Sequence, residues 1–131
     1  MSEANVEIAK RSVDAFNRRD VDALLSLATP DCVMTSQLLD ASADFQGREG
    51  VESFFAMLGE SWEEFRSVIE DYRDLGDQVL LLGRNTARGK GSGVTVDAPT
   101  AAIVDFRDGK VARIRLYLDQ SEALRAAGLA E

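Results

Sequence analysis

Residues 98 to 119 read APTAAIVDFRDGKVARIRLYLD. In the second half, Ala112, Ile114, Leu116 and Leu118 alternate with Arg113, Arg115 and Tyr117. A period of two is the signature of an extended strand with one buried and one more polar face. Asp108-Gly109 is a tight-turn dipeptide, since both central residues of such a hairpin take positive φ. The segment predicts two long antiparallel strands with Ala102, Val104, Ile114 and Leu116 pointing inward. A wall of aliphatics offers no acid, base or oxyanion donor to a pocket built on it.

The first half of the chain has a different period. Val6, Ala9, Val13 and Phe16 recur at helical spacing, and a second helix follows with Asp20 as cap and Val21, Leu24, Leu25 and Ala28 on one face. Pro30 is expected to end it. "DCVMTS" predicts a short strand, after which a polar stretch runs through Asp40 and Asp44 to Gly47. A third helix carries Val51, Phe54, Phe55, Leu58 and Trp62, with the acid run "ESWEEF" as its solvated face.

Strands take over from residue 66. "VLLLG" at 79 to 83 is apolar on both faces and predicts a central strand, "RGKGSG" at 88 to 93 a glycine-rich hairpin or bulge, and "SEALRAAG" a short closing helix. Helices first and an antiparallel meander afterwards make an α+β domain, its helices covering one face of a curved sheet. The 131 residues suffice for one domain, 1–131, around a single sizeable core.

Composition narrows the chemistry. There is no histidine, which removes Ser-His-Asp and Cys-His catalysis, the HExxH zinc site and imidazole acid–base work together. No acidic motif of the calcium-loop kind is present, so no metal site is expected. A net charge of −8 repels phosphate backbones and anionic lipid, and no apolar run reaches the length of a spanning helix. Neither nucleic acid nor membrane is an expected partner. The segment MSEANVEIAKR lacks the layout of a secretion signal and the single cysteine, Cys32, allows no intrachain disulfide, so a cytoplasmic setting is expected. Cys32 itself reads as a buried structural thiol.

The segments FNRRDVDALLSLATPDCV, FQGREGVESFF, GKGSGVTVDAP and RDGKVARIRLYLDQSEALRAAGL, in that order, resemble the SnoaL-like branch of the nuclear transport factor 2-like superfamily. The resemblance implies a cone-shaped fold: N-terminal helices packed on a strongly curved antiparallel or mixed sheet, with a mostly apolar pocket at one end. It also implies a homodimer paired through the outer face of the sheet, where Arg113, Arg115 and Tyr117 are available. Relatives include polyketide cyclases, ketosteroid isomerases, limonene epoxide hydrolases and dehydratases, so fold alone does not choose a reaction.

The resemblance carries over residue by residue only in part. Where isomerase-like relatives place an acidic base, this chain has Ser36; where they place a second polar group, it has Ala102. A cyclase-like acid on the last strand is replaced near Leu116, and of an Arg–Asp pair only Arg84 remains, with Thr86 two residues on. Two function classes follow. One is binding of a small, largely apolar molecule, with or without an anionic group, by Arg84, Phe16, Phe55, Trp62, Ser36, Ala102 and Leu116. The other is a cofactor-independent isomerase, cyclase, dehydratase or epoxide hydrolase whose base is a loop carboxylate, Asp40 or Asp44. Arg84 shares strand parity with Leu80 and Leu82, and so either faces the pocket with them or pairs with an acid at the strand end.

Overall fold

The computed structural model describes residues 2–37 and 44–129. Helices α1 (Ser2–Arg18) and α2 (Val21–Ser26) precede strands β1 (Ala28–Ser36) and β2 (Phe45–Gln46). Helix α3 (Gly47–Ser61) leads into β3 (Trp62–Asp74), β4 (Gln78–Gly89), β5 (Thr95–Arg107) and β6 (Lys110–Tyr117), and α4 (Gln120–Ala126) follows. The strands form one open sheet in the order β2-β1-β6-β5-β4-β3. Every neighbouring pair is antiparallel except β1 with β6, which is parallel. The architecture is the expected α+β one, with helices on a curved mixed sheet.

Local chemistry sets the punctuation. Arg19 takes φ 56° after α1, and Asp20 then caps α2 by accepting the Ala23 N–H at 3.0 Å. Asp108 and Gly109 have φ 53° and 77°, the left-handed pair that joins β5 to β6.

Three sequence expectations are corrected. Helix α2 stops at Ser26, and Pro30 lies inside β1 rather than at a helix end. The strand tolerates it because the β1–β6 register is interrupted between Ala28 and Val33, where no ladder N–H is demanded of it. The change from helix to strand comes at Trp62, not residue 66. Glu63 and Glu64 therefore lie on a strand, where Arg88 of β4 pairs with them at 3.2 and 2.8 Å. Finally, the short strand β2 lies in a stretch that reads only as polar loop.

The sheet buries both faces over its middle. On the concave side, Val79, Leu81, Ala102, Val104 and Val111 pack against α1, and Met34, Phe45, Phe54, Phe65 and Ala87 form an aromatic-rich cluster with Phe16, Val51 and Leu58. On the outer side, Leu80, Ala101 and Ile103 are covered by Ala123 of α4. This is why "VLLLG" is apolar at every position although β4 is one strand from the sheet edge. Register shifts between Ile69 and Asp71 and between Asp105 and Phe106 add the twist that bends the sheet around α1. Gly83 sits at the first of these bends, where a Cβ would run into the Val68 carbonyl oxygen and lie 2.7 Å from Ile69 Cα. Among the described residues no helix is long and apolar enough to cross a membrane.

Candidate functional site

Between α1 and the concave sheet lies a cavity of about 50 Å³. Helix α1 contributes Ala9, Ser12, Val13 and Phe16, one helical stripe, and α2 contributes Leu24. The sheet supplies Ser67 and Ile69 from β3, Leu81 from β4, Ala102 and Val104 from β5, and Ile114 and Leu116 from β6. By the room one water requires, the space holds about two to four waters, and it is roughly a third of the cavity volume that accepts benzene, so a ligand that fits it is smaller than a six-membered ring. Its described lining contains no ionisable side chain.

The two polar groups of the lining differ in how they are held. Ser12 is buried and its Oγ donates to the Ile8 carbonyl at 3.0 Å, one turn back along α1. Ser67 is held by Asn17, whose Nδ2 donates to the Ser67 carbonyl at 2.8 Å while its Oδ1 accepts the Ser67 N–H at 2.9 Å. The Ser67 hydroxyl in turn reaches Asn85 Oδ1 at 2.9 Å. Asn85 is 6% exposed, on the concave side of β4.

Beside the Phe16 end of the cavity, Arg19 is laid over the rings of Phe16 and Phe55, 5.2 and 5.6 Å from their centroids. It donates to the Phe16 carbonyl at 2.6 Å and to the Phe65 carbonyl at 2.7 Å. Burial lowers the pKa of its guanidinium, since desolvation disfavours the cation. Among the described residues no carboxylate stands within ion-pair distance of it; the contacts it makes tie the C-terminus of α1 to β3.

The residues singled out from the sequence are distributed as follows. Phe16, Ala102 and Leu116 line the cavity. Ser36 is buried on β1 opposite Leu116, adjoining that wall without forming it. Phe55 and Trp62 are half-buried and pack against the aromatic cluster, Phe55 edge-on to Phe16 at 5.5 Å and Trp62 tilted on Phe65 at 6.2 Å. Arg84 lies on the other face of the sheet. Leu81, not Leu80 or Leu82, points to the cavity, so the parity that Arg84 shares with Leu80 and Leu82 turns it outward. There it donates to Asp97 at 2.6 Å, with 43% of its side chain exposed. Asp44 is exposed and Asp40 lies outside the described residues. Cys32 is buried, and desolvation pushes its thiol pKa up, away from nucleophile chemistry. Among the described residues no group of three or more potential ligands could hold a metal ion.

Sequence reading passed over Asn17, Ser67 and Asn85. The available signal was weak: Asn85 shares parity with Val79 and Leu81, a polar residue continuing an apolar inward row.

Comparison with known proteins places this geometry in a family. The SnoaL-like domain matches residues 9–114. No curated protein matches the chain significantly in sequence. Among solved structures, a putative SnoaL-like polyketide cyclase from Jannaschia sp. CCS1 is similar at 26% identity and TM-score 0.78, over 99% of this chain and 94% of its own. TerC, co-crystallised with polyporic acid, superposes with TM-score 0.79 at 21% identity, over 95% and 98% of the two chains. A protein of ketosteroid isomerase-like fold from Catenulispora acidiphila DSM 44928, in complex with trimethylamine, superposes with TM-score 0.75 at 22% identity, over 94% and 93%. At those last two identities the likeness is one of fold. With the family's sequence pattern spanning most of the strands and helices that build the cavity, the chain belongs to the SnoaL-like domain family.

Proposed function

We propose that this protein binds a small, largely apolar molecule in the cavity between α1 and the sheet, with Phe16, Ala102 and Leu116 among its contacts. The observation that carries the reading is the lining itself: ten aliphatic or aromatic residues, two serines and no ionisable group among those described. Abstracting a proton beside a carbonyl needs a base within hydrogen-bond reach. The loop-carboxylate alternative, isomerase, cyclase, dehydratase or epoxide hydrolase, gains no support from Asp44, which is exposed and not part of the lining. An apolar cavity solvates water poorly, and one of this size favours an apolar body of only a few heavy atoms. Solved proteins of the same fold hold trimethylamine or polyporic acid, so the fold accommodates ligands of very different size.

The test is a titration with xenon, a single-atom apolar probe that enters dry cavities, followed by amide chemical shifts. Shifts confined to α1 and to the inward positions of β3 to β6 are expected, and they should vanish in Ala102→Leu, which fills the space while keeping the fold. Saturating ligand that leaves the wild-type spectrum unchanged overturns the reading.

The same proposal includes a cytoplasmic setting and a homodimer seated on the outer face of the sheet, where Arg113 is exposed, while Arg115 is held by Asp105 at 3.2 Å and Tyr117 packs on the cluster that α4 covers. Sedimentation at micromolar concentration should give twice the monomer mass; a strict monomer at that concentration removes the seam.

A further inference from the structure

On the α2 side of the cavity lies a second, smaller void of about 10 Å³, walled by Ala28, Cys32, Val51 and Val111 among others. Two residues line both spaces, Leu24 of α2 and Ile114 of β6. The smaller void is at the lower limit of room for one water, and its lining side chains carry no nitrogen or oxygen. A buried water needs two to four polar partners, so this space holds neither water nor ligand by itself. Its consequence lies in what it adjoins: the two side chains that close the larger cavity there have open space behind them.

We propose that the two voids are one interrupted pocket, that Leu24 and Ile114 are the partition that sets its size limit, and that the ligand class is thereby restricted to apolar molecules smaller than a six-membered ring. The proposal rests on the apolar-pocket reading and names the residues that determine ligand size within it. The partition is anchored at its ends. Asp20 donates its N–H to the Ala15 carbonyl at 2.9 Å and accepts the Ala23 N–H on its side chain at 3.0 Å, and past the helix the Leu27 carbonyl accepts the Val111 N–H at 2.9 Å. Leu24, 3% exposed, is therefore held in place by the short helix that carries it. Across from it, Ile114 stands inside the sheet, paired with Met34 of β1 and Val104 of β5. The other walls are different in kind. Leu81, Ala102 and Val104 are backed by the strands' own backbone and, beyond it, by the buried layer of Leu80, Ala101 and Ile103, so the cavity cannot deepen there without breaking the ladder.

The experiment sets xenon against benzene on the wild-type protein, Leu24→Ala and Leu58→Ala, read by amide chemical shifts. In the wild type, xenon should shift Ala102 and leave Cys32 and Val51 unmoved, and benzene should shift none of them. Leu24→Ala joins the voids and adds the room of the deleted carbons, bringing the chamber toward the about 150 Å³ that accepts benzene. Benzene should then give saturable shifts at both Ala102 and Cys32. Leu58→Ala makes the same deletion in the aromatic cluster, away from both linings, and should bind no benzene. Ile114→Val, which loses one methyl group, carries the test if Leu24→Ala does not fold: xenon should then shift Cys32 and Val51 as well as Ala102, and xenon still confined to the Ala102 side overturns the proposal. Benzene bound by the wild type or equally by Leu58→Ala, xenon reaching Cys32 in the wild type, or a folded Leu24→Ala that excludes benzene overturns the partition while leaving the apolar pocket standing. Failure of xenon to bind the wild type overturns the pocket itself.

Discussion

Asn17 on α1 substitutes for a β-strand neighbour of Ser67 on β3: its side-chain amide satisfies both the N–H and the carbonyl of that residue, at 2.9 and 2.8 Å. The helix is thereby docked to the sheet by a pair of hydrogen bonds spanning 50 residues of sequence. Asn17→Leu keeps the side chain's bulk but strands two backbone groups, and unsatisfied buried groups cost about 1–3 kcal/mol. Chemical denaturation should show a loss in that range. A variant as stable as the parent would mean that water replaces the amide at no cost.

Arg84 provides a contrasting expectation. Its partner Asp97 is 60% exposed and the pair sits on the outer face of the sheet. Exposed pairs of this kind contribute at most about 1 kcal/mol. Arg84→Met should therefore leave the melting temperature within a few degrees of the parent and leave xenon binding unchanged. Weaker binding in the variant would place the arginine's influence inside the cavity after all.

Gly83 is required by the close approach of β3 at its bulge rather than by backbone freedom. Gly83→Ala forces the new methyl against the Val68 carbonyl oxygen and Ile69 Cα, which are backbone atoms that cannot swing aside. A loss of about 1–3 kcal/mol is expected, as for other overpacked sites. Because Leu81 and Ile69 on the cavity wall flank that contact, binding of xenon should weaken in the same variant. Unchanged stability would show that the two strands can separate there freely.

The Asp20 cap sets an acid-side dependence. The Ala23 N–H, aided by Arg18, holds its carboxyl pKa below the usual 3.8. A carboxylate whose folded pKa is depressed contributes stability above its unfolded pKa, and that contribution is lost as pH falls through the folded value. Asp20→Ala should consequently melt a few degrees below the parent at pH 7. The two melting curves should converge as the pH is taken down through the folded pKa. A gap that persists unchanged at low pH would assign the cap's effect to something other than its charge.

Much of the fold was legible because its causes are local. The period of two in residues 110–118, the Asp108-Gly109 turn and the helical stripe Val6, Ala9, Val13 and Phe16 each reflect neighbours within a few residues of one another, and the structure builds the corresponding strands, turn and helix. Ile114 and Leu116 could be assigned inward because their neighbours in the last strand, Arg113, Arg115 and Tyr117, are polar. Boundaries were less legible: Pro30 marks a helix end in isolation but fits β1 because the ladder with β6 is broken there.

The tertiary structure alone decided which side of β4 is the cavity side. Both faces of that strand are apolar in sequence, since α1 covers one and α4 the other, so parity relates Arg84 to Leu80 and Leu82 without saying where the three of them point. The same holds for the polar end of the cavity. Asn17, Ser67 and Asn85 are 50 and 18 residues apart, and hydrogen bonds at such separation depend on the sheet's curvature and register, which emerge only when helix and strands close on a common core.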